Sequence, residues 1–150
     1  MQIRAALPAD IPQLLALVRR YWDFEGIAGF EALRIELVLK ELLAPQGMRG
    51  AVWVAAEAAQ LYGYLIVVLL MSVEHQGLMG EIDEFFVLPE ARSRGIGAQL
   101  LDRAESALAA RGCVRLQLQL HKANPAARAF YARRGYAARA DYELLDRALR

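Results

Sequence analysis

Within seven residues, Arg92-Ser93-Arg94-Gly95-Ile96-Gly97-Ala98 brings two guanidinium groups and two glycines to the start of a helical pattern. These types at this spacing can hold an anion. Gly95 and Gly97 leave the backbone bare, so a phosphate can reach the main-chain amides. The free N–H groups and positive dipole end of the following helix favour negative charge. Arg92 and Arg94 add fixed cations. The run has neither the spacing nor the lysine followed by Ser or Thr of a P-loop, and it lacks the GxGxxG order and ribose-binding acid of a dinucleotide fold. The strand pattern leading into it, Glu81 to Leu88, sets acids among apolar residues. Strict alternation puts Glu81 and Glu84 on opposite faces, with Glu84 on the face of Phe86. A carboxylate among Ile82, Phe85 and Phe86 is costly to bury without purpose, which makes Glu84 a candidate base. Pairing with an arginine, or a place at an open sheet edge, are the structural alternatives.

The chain that must position these groups has 150 residues, 57% of them hydrophobic, enough for one globular domain with a proper core. A net charge of +1 argues against a nucleic-acid or membrane-surface partner, so anion binding must be local. Cys113 is the single cysteine and reads as a small buried residue at the head of a strand. His75 and His121 stand alone, without a partner at metal-ligand spacing, so no metal is expected. The opening residues lack the order of a signal peptide, which makes a cytoplasmic location the expectation. The apolar run Leu61 to Val73 is far short of the ~20 residues of a membrane helix and reads as a buried strand.

The periodicity changes several times with no linker-like stretch, repeat or low-complexity segment. Ile3 to Ala5 reads as a short strand, and Asp10 offers an N-cap to a helix with Leu14, Leu17, Val18 and Tyr21 on one face. Gly26 and Gly29 break it, and a second helical pattern runs from Phe30 to Leu43. Ala51–Ala56 and Leu61–Val73 form a hairpin pattern, followed by a turn from His75 to Gly80 and the strand Glu81–Leu88. A helix from Gly95 to Arg111 closes on Gly112, and Val114–Leu120 alternates like a half-exposed strand. Asn124 and Pro125 start a helix that Gly135 stops, and a last strand is expected around Tyr142–Leu145.

Two of these segments carry a family likeness. The run Arg92–Ala98 resembles the Q/R-x-x-G-x-G/A motif of the GNAT superfamily of acetyl-CoA-dependent N-acetyltransferases, and the approach EFFVLPEAR is similar to that family's strand, valine, proline and arginine. NPAARAFYARRGY resembles its second signature, an Asn, a helix bearing a Tyr and a closing Gly-aromatic pair, and IRAALPADIPQLLALV looks like the usual opening. The resemblance spans nearly the whole chain in the correct order. It implies a single N-acetyltransferase domain over 1–150, with an α/β (α+β) fold in which a mixed, mostly antiparallel and splayed central sheet is flanked by helices.

It also implies roles. The diphosphate of acetyl-CoA, the co-substrate, maps to Arg92, Ser93, Arg94, Gly95, Ile96, Gly97 and Ala98, the assignment that the helix terminus reaches independently. Its pantetheine arm maps to the backbone of Phe85, Phe86 and Val87, like an added strand, and to Asn124. That leaves the two phenylalanine side chains to shape the acceptor pocket or the core. The Val87 N–H would polarise the thioester carbonyl, and Tyr131 would give a proton to the departing thiolate. Tyr131 also reads as an aromatic core residue beside Phe130. Some relatives that act on protein N-termini carry a glutamate at the position of Gln119, which cannot serve as a base. A covalent route through Cys113 has no support, because the residue lies away from both motifs.

The segment Tyr21–Phe30, with Asp23 and Glu25 among aromatic residues, maps to the acceptor site and suits a cationic amine; a helix end anchored by core aromatics with solvated acids reads equally well. The resulting expectation is direct acetyl transfer to a primary amine on a small molecule, peptide or protein lysine, with a homodimer as an open assembly state. An acyl-CoA-binding sensor without turnover, and a nucleotide-phosphate binder, are the competing functions.

Overall fold

The computed structural model describes residues 1–149. They fall into two compact units, Met1–Leu118 and Gln119–Arg150, the last residue lying outside the described range. The first unit is built on one sheet whose strands lie side by side in chain order: β1 (Gln2–Ala5), β2 (Gly50–Glu57), β3 (Gln60–Ser72), β4 (Gly77–Val87) and β5 (Cys113–Leu118). The first four pair antiparallel, and β5 runs parallel to β4.

Helices α1 (Ile11–Glu25) and α2 (Ala32–Leu42) cover one face of this sheet, and α3 (Ile96–Ala110) covers the other. The amphipathic spacing read from the sequence decides which sides turn inward. Leu14, Leu17 and Val18 of α1 and Leu100, Leu101, Ala104 and Leu108 of α3 are buried, against Val54, Tyr64, Leu65 and Val67 of the central strands. Each fully buried leucine or valine of this kind stabilises the fold by about 1.5–3 kcal/mol. No helix among the described residues is long and apolar enough to cross a membrane. The second unit contains α4 (Pro125–Arg133), with Gly135 behind it at φ 85°.

Three sequence expectations change. β4 begins at Gly77, so the residues assigned to the turn after His75 are mostly strand, and the connection tightens to Val73–Gln76. Gly80 suits the ladder rather than a turn, because a Cβ there would lie 2.8 Å from Val67 Cγ1 and 2.9 Å from Leu116 Cδ1. β5 stops at Leu118 instead of Leu120. Tyr142–Leu145 is not a strand. The Tyr142 N–H closes a local turn on the Arg139 carbonyl (3.1 Å), and the Arg139 guanidinium sits 4.2 Å from the Tyr142 ring. Tyr142, Leu144 and Leu145 are all exposed, so no inward-facing row rewards an extended pairing.

The register of β4 against β3 breaks once. Ile66 of β3 pairs with Glu84 and Val67 with Ile82, leaving Asp83 as an extra residue. This bulge reverses the facing of everything beyond it. Before it, Gly80 faces Val67 and Leu108 of α3; after it, Phe85 takes that face, its Cζ lying 3.5 Å from where a Cβ of Gly97 would stand. Glu81, opposite Val68, and Glu84, opposite Ile66, consequently lie on the same face, that of α1. Uninterrupted alternation had placed them on opposite faces.

Asp10 precedes α1 but caps a different element. Its carboxylate accepts from both Arg4 Nη atoms (2.6 and 2.9 Å) and from the Leu7 N–H (2.7 Å), closing the 3-10 turn Pro8–Asp10. The Arg4 hydrogen bonds, foremost among the causes, hold its pKa below the ordinary aspartate value. A carboxyl of this kind gives stability above its unfolded pKa and loses it as pH falls through the folded one. Asp10→Asn should therefore destabilise the protein by about 1–3 kcal/mol near neutrality, the gap closing in acid below about pH 4. Denaturant melts of both proteins across pH check this, and a gap that widens in acid would refute it.

Candidate functional site

The glycine-rich run folds into a nest of main-chain amides. Pro89–Ala91 forms a 3-10 turn that the Arg92 N–H closes on Pro89 O (3.2 Å), so that amide is already used. Ser93 and Gly95 then adopt left-handed φ of 63° and 72°. For serine this conformation costs about 1–2 kcal/mol, and alternating backbone handedness points successive N–H groups into one concavity. The first bond of α3 runs from Gln99 N–H to Gly95 O (3.1 Å), leaving the amides of Ile96, Gly97 and Ala98 as the free first turn of the helix. Gly97 has no positive φ, and an added Cβ would meet only Phe85 Cζ within 4 Å. The backbone does not require glycine here. A side chain would instead fill the approach to the amides, which is where an incoming phosphate would sit.

Beside the nest, one side of β4 runs on beyond its strand partner. Its ladder to β5 ends at Ile82 and Leu118, while its pairing with β3 continues to Val87. Leu88 N–H donates to Tyr62 O (2.9 Å), which fixes the phase of the antiparallel ladder. Phe86 and Glu84 then turn their main-chain groups toward β3, and Phe85 and Val87 turn theirs to the open side. The Val87 N–H expected to polarise a carbonyl thus points into this gap.

On the α1 face, Glu84 sits in an aromatic enclosure. Trp22 Nε1 donates to one carboxylate oxygen (2.6 Å) and the Tyr64 hydroxyl to the other (2.8 Å). Among the described residues no basic side chain lies within ion-pair distance of it. Burial raises the Glu84 pKa above the ordinary carboxyl value, the two hydrogen bonds oppose the rise, and the charge of Asp83 adds to it. Asp83 is exposed as a residue, yet protein crowding around its carboxyl, with the charge of Glu81, raises its pKa also. Burial pushes the Tyr21 hydroxyl up to about 12, helped by Glu25 and Glu84, and Tyr64 higher still, so both remain protonated donors. Glu81 accepts from Gln117 Nε2 of β5 (2.6 Å).

Phe86 packs centrally in the enclosure, its ring centroid 5.8 Å from Tyr21, 6.1 Å from Phe24 and 6.4 Å from Tyr64. Trp22 meets Phe30 edge-on at 5.6 Å. Asp23 is instead a solvated partner of Arg19 (3.3 Å). Tyr64 has no place in the sequence reading. A tyrosine inside the apolar run Leu61–Val73 needs a partner for its buried hydroxyl, and hairpin register alone would have supplied Glu84.

Other expected site residues divide between the units. The side chain of Arg92 turns back to Val87 O and the rings of Phe24 and Phe86. Arg94 approaches Glu57 at 3.8 Å. In the second unit, Asn124 Oδ1 caps α4 by accepting the Ala127 N–H (3.0 Å), and Tyr131 is buried between the rings of Phe130 (5.2 Å) and Tyr136 (5.3 Å).

A sheet with this strand order, a bulged fourth strand, an open edge and a glycine-opened helix terminus defines the architecture of an acyltransferase. The pattern of the Acetyltransferase (GNAT) family matches residues 13–136, and the chain belongs to that family. An uncharacterized N-acetyltransferase of Archaeoglobus fulgidus is 31% identical over 134 residues, 88% of this chain and 90% of that protein. The crystal structure of an integron cassette protein, HFX_CASS3, from the mobile metagenome of Cole Harbour Salt Marsh superposes with a TM-score of 0.86 at 30% identity, covering 99% of this chain and 91% of that one. A predicted acetyltransferase from Clostridium acetobutylicum, solved with acetyl-CoA, shares the fold with a TM-score of 0.81 at 21% identity over 97% of this chain and 95% of its own.

Removing one donor should expose the balance at Glu84. In Tyr64→Phe the carboxyl loses a hydrogen bond that favours its charged form, so its pKa should rise above that of the parent. Carbon-detected NMR titration of the glutamate carboxyls measures it, and an unchanged or lower value would contradict the assignment.

Proposed function

We propose that this protein transfers the acetyl group of acetyl-CoA directly to a primary amine, with residues 1–150 acting as one catalytic domain. The observation that carries the reading is Glu84, a half-buried carboxylate held by two neutral donors and, among the described residues, without a basic side chain at ion-pair distance, on the strand that leads into the nest. A buried charge without a counter-ion is costly, and an ammonium from outside would offset that cost before giving up its proton.

The residues fit the coenzyme. Its diphosphate would lie on the amides of Ser93 to Ala98, where Gly97 keeps the approach clear, and its amide-rich arm along the backbone of Phe85 and Val87. When bound, acetyl-CoA supplies the activated acyl group. The chain's own tasks are then three. Glu84, with its raised pKa, collects the amine's proton. The Val87 N–H, aimed at the open edge, stabilises charge developing on the carbonyl oxygen. Tyr131 gives a proton to the sulfur as it leaves. The indole of Trp22 and the Glu84 carboxylate it holds favour a cationic acceptor, and the reaction suits a cytoplasmic setting.

A panel of polyamines, aminoglycosides, lysine peptides and simple alkylamines, assayed for free thiol and product mass, tests the reading. Saturable coenzyme binding without thiol release on any amine would instead indicate a sensor. Within an active pair, Glu84→Gln should cost ~10²–10⁴-fold in turnover where the amine is protonated and progressively less at high pH, where free amine needs no base. An unaltered pH–rate profile would remove Glu84 from this role. Gly97→Ile should weaken acetyl-CoA binding at least tenfold while shifting stability by under ~1 kcal/mol, because the first helical turn accepts β-branching. Calorimetric titration of the folded variant checks this, and unchanged affinity would remove the nest from the binding site.

A further inference from the structure

Four positions in the last two turns of α1 each hold a different part of the segment from β4 to the nest. Arg20 forks onto the Glu90 carboxylate (3.0 and 3.4 Å), Tyr21 packs on Phe86, and Trp22 donates to Glu84. Phe24 lies beneath the guanidinium of Arg92, 4.9 Å from the ring centroid. The same guanidinium is 5.7 Å from the centroid of Phe86, and its Nε donates to the Val87 carbonyl (3.0 Å). Arginine suits this junction because its planar group can donate in its plane to a carbonyl while its faces cover aromatic rings.

Phe24 needs such a fastening. It is 58% exposed, so burial alone does not fix it, and α1 ends two residues later at Gly26 in the left-handed conformation, with Gly29 at φ 82° beyond. Arg94, in contrast, makes a long contact of 3.8 Å to the exposed Glu57 among the described residues, which leaves its charge available to an anion.

We propose that Arg92 is a positioning residue rather than an anion ligand: it ties the end of α1, and Phe24 with it, to the open edge of β4 at Val87. Occupation of that edge is thereby transmitted to the wall around Glu84. The second statement rests on the reading that the acyl coenzyme lies along Phe85 and Val87, whereas the fastening itself belongs to the free protein. Coenzyme A pairing at the edge would steady the Val87 carbonyl, and Arg92 would carry that order to Phe24 and the turn that follows.

The experiment uses the full chain, coenzyme A as the probe, and the variants Arg92→Ala, Arg92→Lys and Arg94→Ala. In the free protein, Arg92→Ala should speed amide exchange at residues 22–27 several-fold. Coenzyme A should slow exchange there in the parent and leave it unchanged in Arg92→Ala, with partial recovery in Arg92→Lys, whose ammonium covers Phe24 but cannot reproduce the fork. The Kd of Arg92→Ala for coenzyme A should stay within about twofold of the parent, with an unchanged salt dependence, while Arg94→Ala binds more weakly and with a flatter one. A weakened Kd and flattened salt dependence in Arg92→Ala would make Arg92 an anion ligand and overturn the proposal. So would exchange at 22–27 that ignores the substitution in the free protein, or a coenzyme effect there that survives it. Absence of any coenzyme A binding to the parent would fell the coenzyme reading and the transmission with it, while free-protein exchange still decides the fastening.

Discussion

The candidate site depends on one extra residue in one strand. Asp83 has no partner of its own on β3, and the parity of β4 reverses around it. Without the reversal, Phe85 would point at α1 and Glu84 at α3, where apolar helix residues offer a carboxylate no donor. With it, Glu84 meets Trp22 and Tyr64, Phe86 meets the rings of α1, and the main chain of Phe85 and Val87 turns to the gap that β5 leaves open. The bulge also bends the strand locally, consistent with a ladder to β5 that stops at Ile82.

A carboxylate in such a position is held by compromise. Desolvation drives it toward the neutral form, two hydrogen bonds draw it back, and the Tyr64 hydroxyl is kept protonated by the same burial. Tyr64 and Trp22 therefore do more than fill space. They fix the orientation of both oxygens while leaving lone pairs for a further partner.

Local patterns told most where backbone physics is local. Gly95, Gly112 and Gly135 mark helix boundaries as spacing suggested, and the buried stripes of α1 and α3 follow the periodicity of their leucines. Legibility failed where a long-range pairing decides. A bulge has no signature in the run Glu81–Leu88, so the facing of Glu81 could not be read, and Tyr64 acquires meaning only through its neighbour across the hairpin. Tyr142–Leu145 has the composition of a strand, but composition does not supply a partner strand. Asp10 looked like a cap for α1, and a choice between Arg4 and a helix terminus is settled by which reaches it first in space. Arg92 is the sharpest case: its place in a motif concerns its backbone, while its side chain answers to rings contributed by a helix far earlier in the chain.

The order of the sheet bears on how the chain first acquires its shape. β2, β3 and β4 form a meander with short connections, whereas β5 joins β4 only after the chain has crossed the sheet through α3. Short loops close at small entropic cost and early; a parallel crossover closes late. During synthesis the outer edge of β4 is therefore exposed along its whole length, from Gly77 to Val87, a margin able to pair with another nascent chain. Glu81, Asp83 and Glu84 stand on that margin, and their mutual repulsion between copies discourages such pairing until α3 and β5 arrive. Glu84, proposed above as the base of the finished protein, would then have served first, with its two acidic neighbours, as a guard of an unfinished edge.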